Sequence, residues 1–145
     1  MPFIKVWVHL VWTTKNRKLI LTSDIRQKVF AHIRENAKTK NIHVDFVNGH
    51  ADHVHCLAAL NQEQSIAKVV QLIKGESSFW INKTSLCKEK FEWQDDYFAV
   101  SVSESGVDKV RQYIKNQETH HARKTFQQEY DEFMEKYGFE MISNL

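Results

Sequence analysis

The order of strand-like and helix-like apolar patterns constrains the fold of this chain most strongly. Residues 3–12 are β-branched and aromatic without a turn former, which predicts a central strand buried on at least one face. Apolar residues then recur at helical spacing over about 24–40, which predicts a helix with one buried face. Residues 42–60 then predict an antiparallel hairpin, with its turn at Asn48-Gly49 and its second strand at 53–60.

The second half of the chain repeats this alternation. Ser65 is placed to cap a long helix that contains Gly75, a glycine whose cost in a helix suggests a close approach by a neighbour. Strand character returns at 97–102, and two helices close the chain, the first over 107–120. This order predicts an α+β fold of the ferredoxin-like (RRM-like) type: an antiparallel sheet with helices on one face and additional C-terminal helices. Since no linker interrupts the pattern, we treat residues 1–145 as one domain.

Composition favours an ordinary globular protein. The chain is 42% hydrophobic, 12% aromatic and 26% charged, which argues against disorder or a fibrous repeat. Its two cysteines, Cys56 and Cys87, stand singly and form no disulfide framework or metal knuckle in the sequence. No apolar run approaches the length of a membrane span. We therefore expect a cytoplasmic protein with no membrane partner.

Basic residues form two local clusters although the formal net charge is only +2. The first is Lys15, Arg17 and Lys18, directly after the first strand. The second is the stretch 107–124, where five basic residues face two acidic ones. Each cluster is either a nucleic-acid contact or an ordinary solvated face, and charge alone does not separate the two interpretations.

His53 and His55 lie in the best strand candidate of the sequence. Strand alternation puts both imidazoles on one face and Val54 on the other, so the pair can converge on one metal ion. The alternative is two polar residues on a solvated sheet face. Larger metallohydrolases also use a His-x-His strand, but their barrels need about 200 residues or more, and this chain has 145.

Tyr113 and Gln117 stand four residues apart on the predicted helix 107–120, which places them on one helix face. Gln117 then offers a carboxamide oxygen to an ion while Tyr113 directs its hydroxyl to whatever that ion holds. Taken singly, Tyr113 has the simpler interpretation of a core-edge residue and Gln117 that of a surface residue. The functional interpretation needs both residues together with the histidine pair.

This combination of motifs resembles a known family. Asp52-His53-Val54-His55, followed about sixty residues later by Tyr113-Ile114-Lys115-Asn116-Gln117, resembles the small insertion-sequence transposases of the single-tyrosine HUH class and their REP-associated relatives. The resemblance extends to His9, Trp12 and Thr13 in the opening strand, and to Leu72-Ile73-Lys74-Gly75 before Trp80.

The resemblance implies a mechanism and a ligand set. His53, His55 and Gln117 would coordinate Mg²⁺ or Mn²⁺, and Tyr113 would attack single-stranded DNA with hairpin ends to form a 5′-phosphotyrosine. It also implies a homodimer in which the tyrosine helix can serve the partner's histidines. The apolar tail residues that could support such an interface are Phe139, Met141, Ile142 and Leu145.

Supporting roles follow for nearby residues. Lys15, Arg17, Lys18 and Lys115 are expected to contact DNA phosphates. Asp52 is expected either to orient a ligating histidine or only to begin the strand. Proton loss from Tyr113 would be helped by the metal, by Lys115, by His120 or by solvent.

Two other functions remain open at this point. One is a non-catalytic nucleic-acid-binding module of the same fold, a domesticated descendant of a transposase. The other is a metal-dependent hydrolase of a small molecule, in which water is the nucleophile and Tyr113 is not required.

Overall fold

Strands and helices follow the predicted order in the computed structural model. It describes residues 2–121 and 124–137, without the side chains of residues 120, 121, 133, 134 and 137. The elements are β1 (Val6–Thr13), α1 (Ser23–Thr39), β2 (His43–Gly49), β3 (His53–Leu60), α2 (Ile66–Lys83), β4 (Phe98–Val102), α3 (Val107–Lys115), α4 (Gln117–His121) and α5 (Phe126–Tyr137). Short 3-10 turns lie at Lys15–Arg17 and Glu104–Gly106.

The four strands form one antiparallel sheet in the order β2-β3-β1-β4. Strands β1 and β3 are therefore central, and each is hydrogen-bonded on both sides. This strand order, with α1 and α2 as the crossovers, is the split βαβ arrangement of ferredoxin-like domains. The predicted fold class is confirmed.

Both faces of the sheet are covered. On one face, alternate residues of β1 such as Val8 and Leu10 join the main apolar core with side chains of α1 and α2. On the other face, Trp7 and Leu57 pack against Val107 and Ile114 of α3. The buried strand β3 therefore has every residue from His53 to Leu60 enclosed, which explains its almost continuous apolar composition.

The hairpin turn differs from the prediction. Asn48 and Gly49 are not the turn: they are the last residues of β2 and pair with His55 and Val54. The connection is instead 50–52, closed by a hydrogen bond from the His50 amide to the His53 carbonyl. A glycine is needed at 49 because an added Cβ would lie 2.1 Å from the His53 carbonyl oxygen.

Other boundaries also shift. The first strand begins at Val6, and Phe3 and Ile4 are exposed rather than part of the sheet. The predicted cap of α2 is confirmed, since the Ser65 side chain accepts a hydrogen bond from the Lys68 amide. The close approach inferred for Gly75 is wrong, because an added Cβ there meets nothing within 4 Å. Within the described residues, no helix combines the length and apolar character needed to cross a membrane.

The two glycines give a matched test of this fold. Gly49→Ala forces a Cβ against the backbone of β3, and we expect it to lower the free energy of unfolding by about 1–3 kcal/mol, the usual cost of overpacking. Gly75→Ala adds the same methyl group to an open helix surface and is expected to raise it by about 0.5–1 kcal/mol. Urea denaturation of both variants measures the difference. Equal effects of the two substitutions would contradict the β2–β3 geometry.

Candidate active site

The imidazoles of His53 and His55 point to the face of the sheet that α3 covers. Both side chains are 0% exposed, and their ring centroids lie 5.1 Å apart. Val54 between them belongs to the core on the opposite face. Because β3 is a central strand, the two rings are held by backbone pairing on both sides, with no flexible loop involved.

Helix α3, which carries Tyr113, is fastened to β2 by polar contacts. The Arg111 guanidinium makes two hydrogen bonds to the Asp45 carboxylate, at 2.8 and 3.0 Å. The Asn48 side-chain amide donates to the carbonyls of Ile114 and Lys115, at 3.0 and 3.2 Å. Asn48 thus satisfies carbonyls at the end of the helix that would otherwise lack partners. These contacts fix Tyr113 relative to the histidine strand.

The prediction of one continuous helix over 107–120 is wrong. Helix α3 ends at Lys115, Asn116 has non-helical angles of φ −93° and ψ 22°, and α4 begins at Gln117. The Gln117 carboxamide nevertheless lies in the site: its Oε1 is 3.1 Å from Nε2 of His53, and its Nε2 is 3.5 Å from the Tyr113 carbonyl oxygen. Gln117 is 0% exposed, so the surface interpretation of this residue does not hold.

The Tyr113 ring lies beside the histidines of the same chain. Its centroid is 5.5 Å from that of His55 and 6.2 Å from that of His9, in edge-to-face geometry. Burial raises the pKa of the phenol well above its ordinary value, and the charge of nearby Glu129 raises it further. The phenol is therefore protonated at neutral pH.

Two neighbours orient the imidazoles. Asp52 Oδ1 lies 2.8 Å from Nδ1 of His53, and His9 Nε2 lies 2.9 Å from Nδ1 of His55. Burial, together with the proximity of His55, lowers the pKa of His9 to about 3, so His9 is a neutral hydrogen-bonding partner. Both Nδ1 atoms are thus engaged, and both Nε2 atoms turn toward one shared point.

Glu129 is part of this cluster, and the sequence analysis missed it. Its Oε1 lies 2.5 Å from Nε2 of His55 and 3.9 Å from Nε2 of His53, and the residue is only 1% exposed. One feature of the sequence does indicate that Glu129 is unusual: it interrupts the apolar stripe of the last helix between Phe126 and Phe133. An acidic residue on a buried helix face needs a partner.

These side chains suit a divalent cation. Ligand atoms of His53, His55 and Glu129 all lie within 4.8 Å of one another, and the Gln117 oxygen lies beside His53. Imidazole nitrogen together with amide and carboxylate oxygen is a donor set that accepts Mn²⁺ or Mg²⁺. The residues present therefore fit the metal that the sequence analysis expected.

The predicted DNA-contacting residues lie outside this cluster. Lys15 pairs with Glu92 at 3.3 Å, and Lys18 with Glu89 at 3.8 Å; both are exposed ion pairs, which are weak and exchange easily. Arg17 stacks on α5, with its guanidinium 4.9 Å from the Phe126 ring centroid.

The remaining candidates have varied surroundings. Lys115 is exposed at the end of α3. The side chain of His120 and the apolar tail from Phe139 onward lie outside the described residues. Of the two tryptophans that contribute to the resemblance, Trp12 is buried and Trp80 stacks on His32.

Comparison with known proteins gives a consistent assignment. Residues 3–117 match the family described as "Transposase IS200 like". The transposases for insertion sequence element IS200 of Salmonella typhimurium and Salmonella typhi are each 25% identical over 114 residues, which cover 75% of this chain and 74% of theirs.

Solved structures agree with this match. A candidate transposase from Deinococcus radiodurans R1 superposes with a TM-score of 0.65 at 25% identity, over 80% of this chain and 93% of that one. A REP-associated tyrosine transposase bound to a REP hairpin shares the fold, with a TM-score of 0.62 at 14% identity over 83% and 71% of the two chains. Since the family match spans most of the sequence, this chain belongs to the IS200-like transposase family.

Proposed function

We propose that this transposase cuts and rejoins single-stranded DNA through a covalent bond to Tyr113, with a divalent cation at His53, His55 and Gln117. The observation that carries the proposal is that the partly buried Tyr113 ring lies beside the two buried imidazoles within one chain. Family membership supplies the general activity, and this geometry supports the residue roles.

The proposed step is an exchange of phosphate esters. The Tyr113 oxygen bonds to phosphorus while the bond from phosphorus to the 3′ oxygen breaks, which leaves a 5′-phosphotyrosine and a free 3′-hydroxyl after the phenolic proton is transferred. A later 3′-hydroxyl reverses the reaction and reseals a strand without ATP. A divalent ion, when bound, offsets the charge of the phosphate and favours loss of the phenolic proton.

The surroundings of Tyr113 account for control of this reactivity. Burial and the Glu129 charge both raise the pKa of the phenol, so the DNA-free protein keeps this hydroxyl protonated. A cation at the neighbouring ligands opposes both causes. The nucleophile is therefore expected to gain reactivity only when cation and substrate are present together.

The DNA substrate is proposed from the basic residues and from one structural neighbour. A transposase with the same fold was solved with a REP hairpin, and we propose single-stranded DNA with a hairpin for this chain. Lys15, Lys18 and Lys115 are exposed or in exposed ion pairs and are available to phosphates. A homodimer remains a prediction; within one chain, Tyr113 already lies beside His55 and Gln117 beside His53.

Helix α5 restricts access to the site. It places Glu129 on His55 and the Phe126 ring 4.6 Å from that of His53, while His53, His55 and Gln117 are 0% exposed. A phosphodiester therefore reaches the imidazoles only after α5 shifts.

One prediction of this proposal concerns the nucleophile. Tyr113→Phe removes only the hydroxyl, and we expect it to abolish the covalent adduct with labelled single-stranded oligonucleotides in Mn²⁺, because no other group takes the place of the phenol oxygen. Denaturing gel electrophoresis measures the adduct. The matched control is Tyr97→Phe, a partly exposed tyrosine outside the cluster, which should form the adduct normally.

Three results would contradict this assignment, and the last two would point to the rival functions. A Tyr113→Phe variant that still forms the adduct would remove this residue as the nucleophile. Phosphoester turnover that survives Tyr113→Phe would favour the metal-dependent hydrolase. Wild-type protein that binds oligonucleotides across a broad library, yet forms no adduct, would favour the non-catalytic binding module.

Another prediction of this proposal concerns the cation. Chelation with EDTA should abolish adduct formation and added Mn²⁺ should restore it, while His55→Ala should lower the rate at least about a hundredfold at any Mn²⁺ concentration. His43→Ala, at an exposed position on β2, is the matched control and should retain the wild-type rate. Adduct formation that persists in EDTA would contradict a metal-dependent reaction.

A further inference from the structure

Glu129 brings a carboxylate of α5 into the cluster of predicted metal ligands. Besides its contacts with His55 and His53, its charge helps to raise the pKa of the nearby Tyr113 phenol. The carboxylate is therefore a neighbour of both the predicted nucleophile and the predicted ligands. The inference below rests on the proposed function, and it concerns a residue that neither the sequence motifs nor the family match, which ends at residue 117, includes.

The burial of Glu129 favours a cation next to it. A carboxylate that is 1% exposed pays a large desolvation cost unless positive charge lies nearby. A divalent ion supplies it with both imidazoles neutral, which is also the form that binds metals.

The spacing of the ligand atoms agrees with a shared ion. Nitrogen and oxygen ligands at about 2.0–2.2 Å from one ion lie at most about 4.4 Å apart. The candidate atoms of His53, His55 and Glu129 lie within 4.8 Å of one another. Small side-chain adjustments are enough to bring all three into coordination.

Glu129 is also the ligand best placed to leave. His53 and His55 are fixed in a central strand, and Gln117 follows the helix that is fastened to β2. Glu129 instead belongs to α5, the helix that must shift to admit DNA. A carboxylate and a phosphodiester each present an oxygen with a single negative charge, so one can replace the other at the same coordination position.

We propose that Glu129 is an exchangeable ligand, which holds the cation in the DNA-free protein and gives up its coordination position to the scissile phosphate. Arg17 connects this exchange to DNA binding. Its guanidinium lies over the Phe126 and Tyr130 rings of α5, at 4.9 and 5.1 Å from their centroids. A DNA phosphate that attracts Arg17 weakens these contacts and favours release of α5.

Cation affinity tests the first half of the proposal. Isothermal titration of the full chain with MnCl₂ compares wild type, Glu129→Gln and Glu132→Gln. The isosteric Glu129→Gln should weaken Mn²⁺ binding at least about tenfold, because it removes the anionic ligand. Glu132→Gln makes the same change on the same helix, at an exposed residue paired with Lys124, and should bind Mn²⁺ as wild type does. Equal affinities of wild type and Glu129→Gln would overturn the proposal.

DNA affinity tests the second half. Fluorescence anisotropy at saturating Mn²⁺ compares Tyr113→Phe with the double variant Tyr113→Phe/Glu129→Gln, using one fluorescent hairpin-tailed oligonucleotide that neither variant cleaves. The double variant should bind the oligonucleotide several-fold more tightly, because a neutral side chain competes less well with phosphate for the cation. Tenfold weaker binding would mean that Glu129 must stay on the metal in the DNA complex, and would overturn the exchange.

Two further measurements separate the possible failures. Thermal unfolding followed by circular dichroism checks that each variant folds, and Glu129→Asp, which keeps the charge, should recover part of the Mn²⁺ affinity. Wild-type protein that binds no Mn²⁺ would contradict the metal-dependent function proposed above. Wild-type binding that Glu129→Gln leaves unchanged contradicts only the assignment of Glu129.

Discussion

The pairing of β1 with β3 is the constraint on which the rest of this structure depends. It sets Val11 opposite His55 and Thr13 opposite His53 in the middle of an antiparallel sheet. Because the side-chain period of a strand is two, a slip of one residue would turn both imidazoles into the apolar core and bring Val54 to the site. The same pairing places His9 of β1 beside His55, where their rings share a hydrogen bond. The register of the strands thus fixes the positions of the three histidines, and the helices add the other side chains of the site.

The sequence was most informative where a single strong pattern governed the structure. The apolar run of β1 and the alternation around His53 predicted the sheet and the shared face correctly, because burial on both sides leaves few alternatives. Asn48-Gly49 was wrongly predicted as the hairpin turn, because glycine favours either a turn or a close backbone contact. Here Gly49 allows a close contact between strands, and the Asn48 side chain caps the end of α3. The break at Asn116 and the burial of Glu129 both depend on how distant elements pack, which local periodicity does not encode.

Electrostatics connects the buried site to its surroundings. The formal net charge of +2 provides little long-range attraction for DNA. Under the proposed function, binding would depend on local groups such as Lys15 and Lys18, whose exposed ion pairs cost little to exchange. Inside, the raised pKa of the Tyr113 phenol and the lowered pKa of His9 keep both groups neutral beside the charge of Glu129. A bound cation would be the dominant charge there, and substrate, nucleophile and α5 would all respond to it.

The most direct test of the central claim is the position of the metal relative to Tyr113. Crystals of the full chain grown with MnCl₂, measured near the manganese absorption edge, give an anomalous difference map that locates the ion without reference to the protein. We expect one strong peak in coordination contact with Nε2 of His53 and Nε2 of His55, beside the Tyr113 hydroxyl of the same chain. A peak bound elsewhere, or none at these imidazoles in the presence of excess Mn²⁺, would contradict a metal-assisted tyrosine nucleophile at this point.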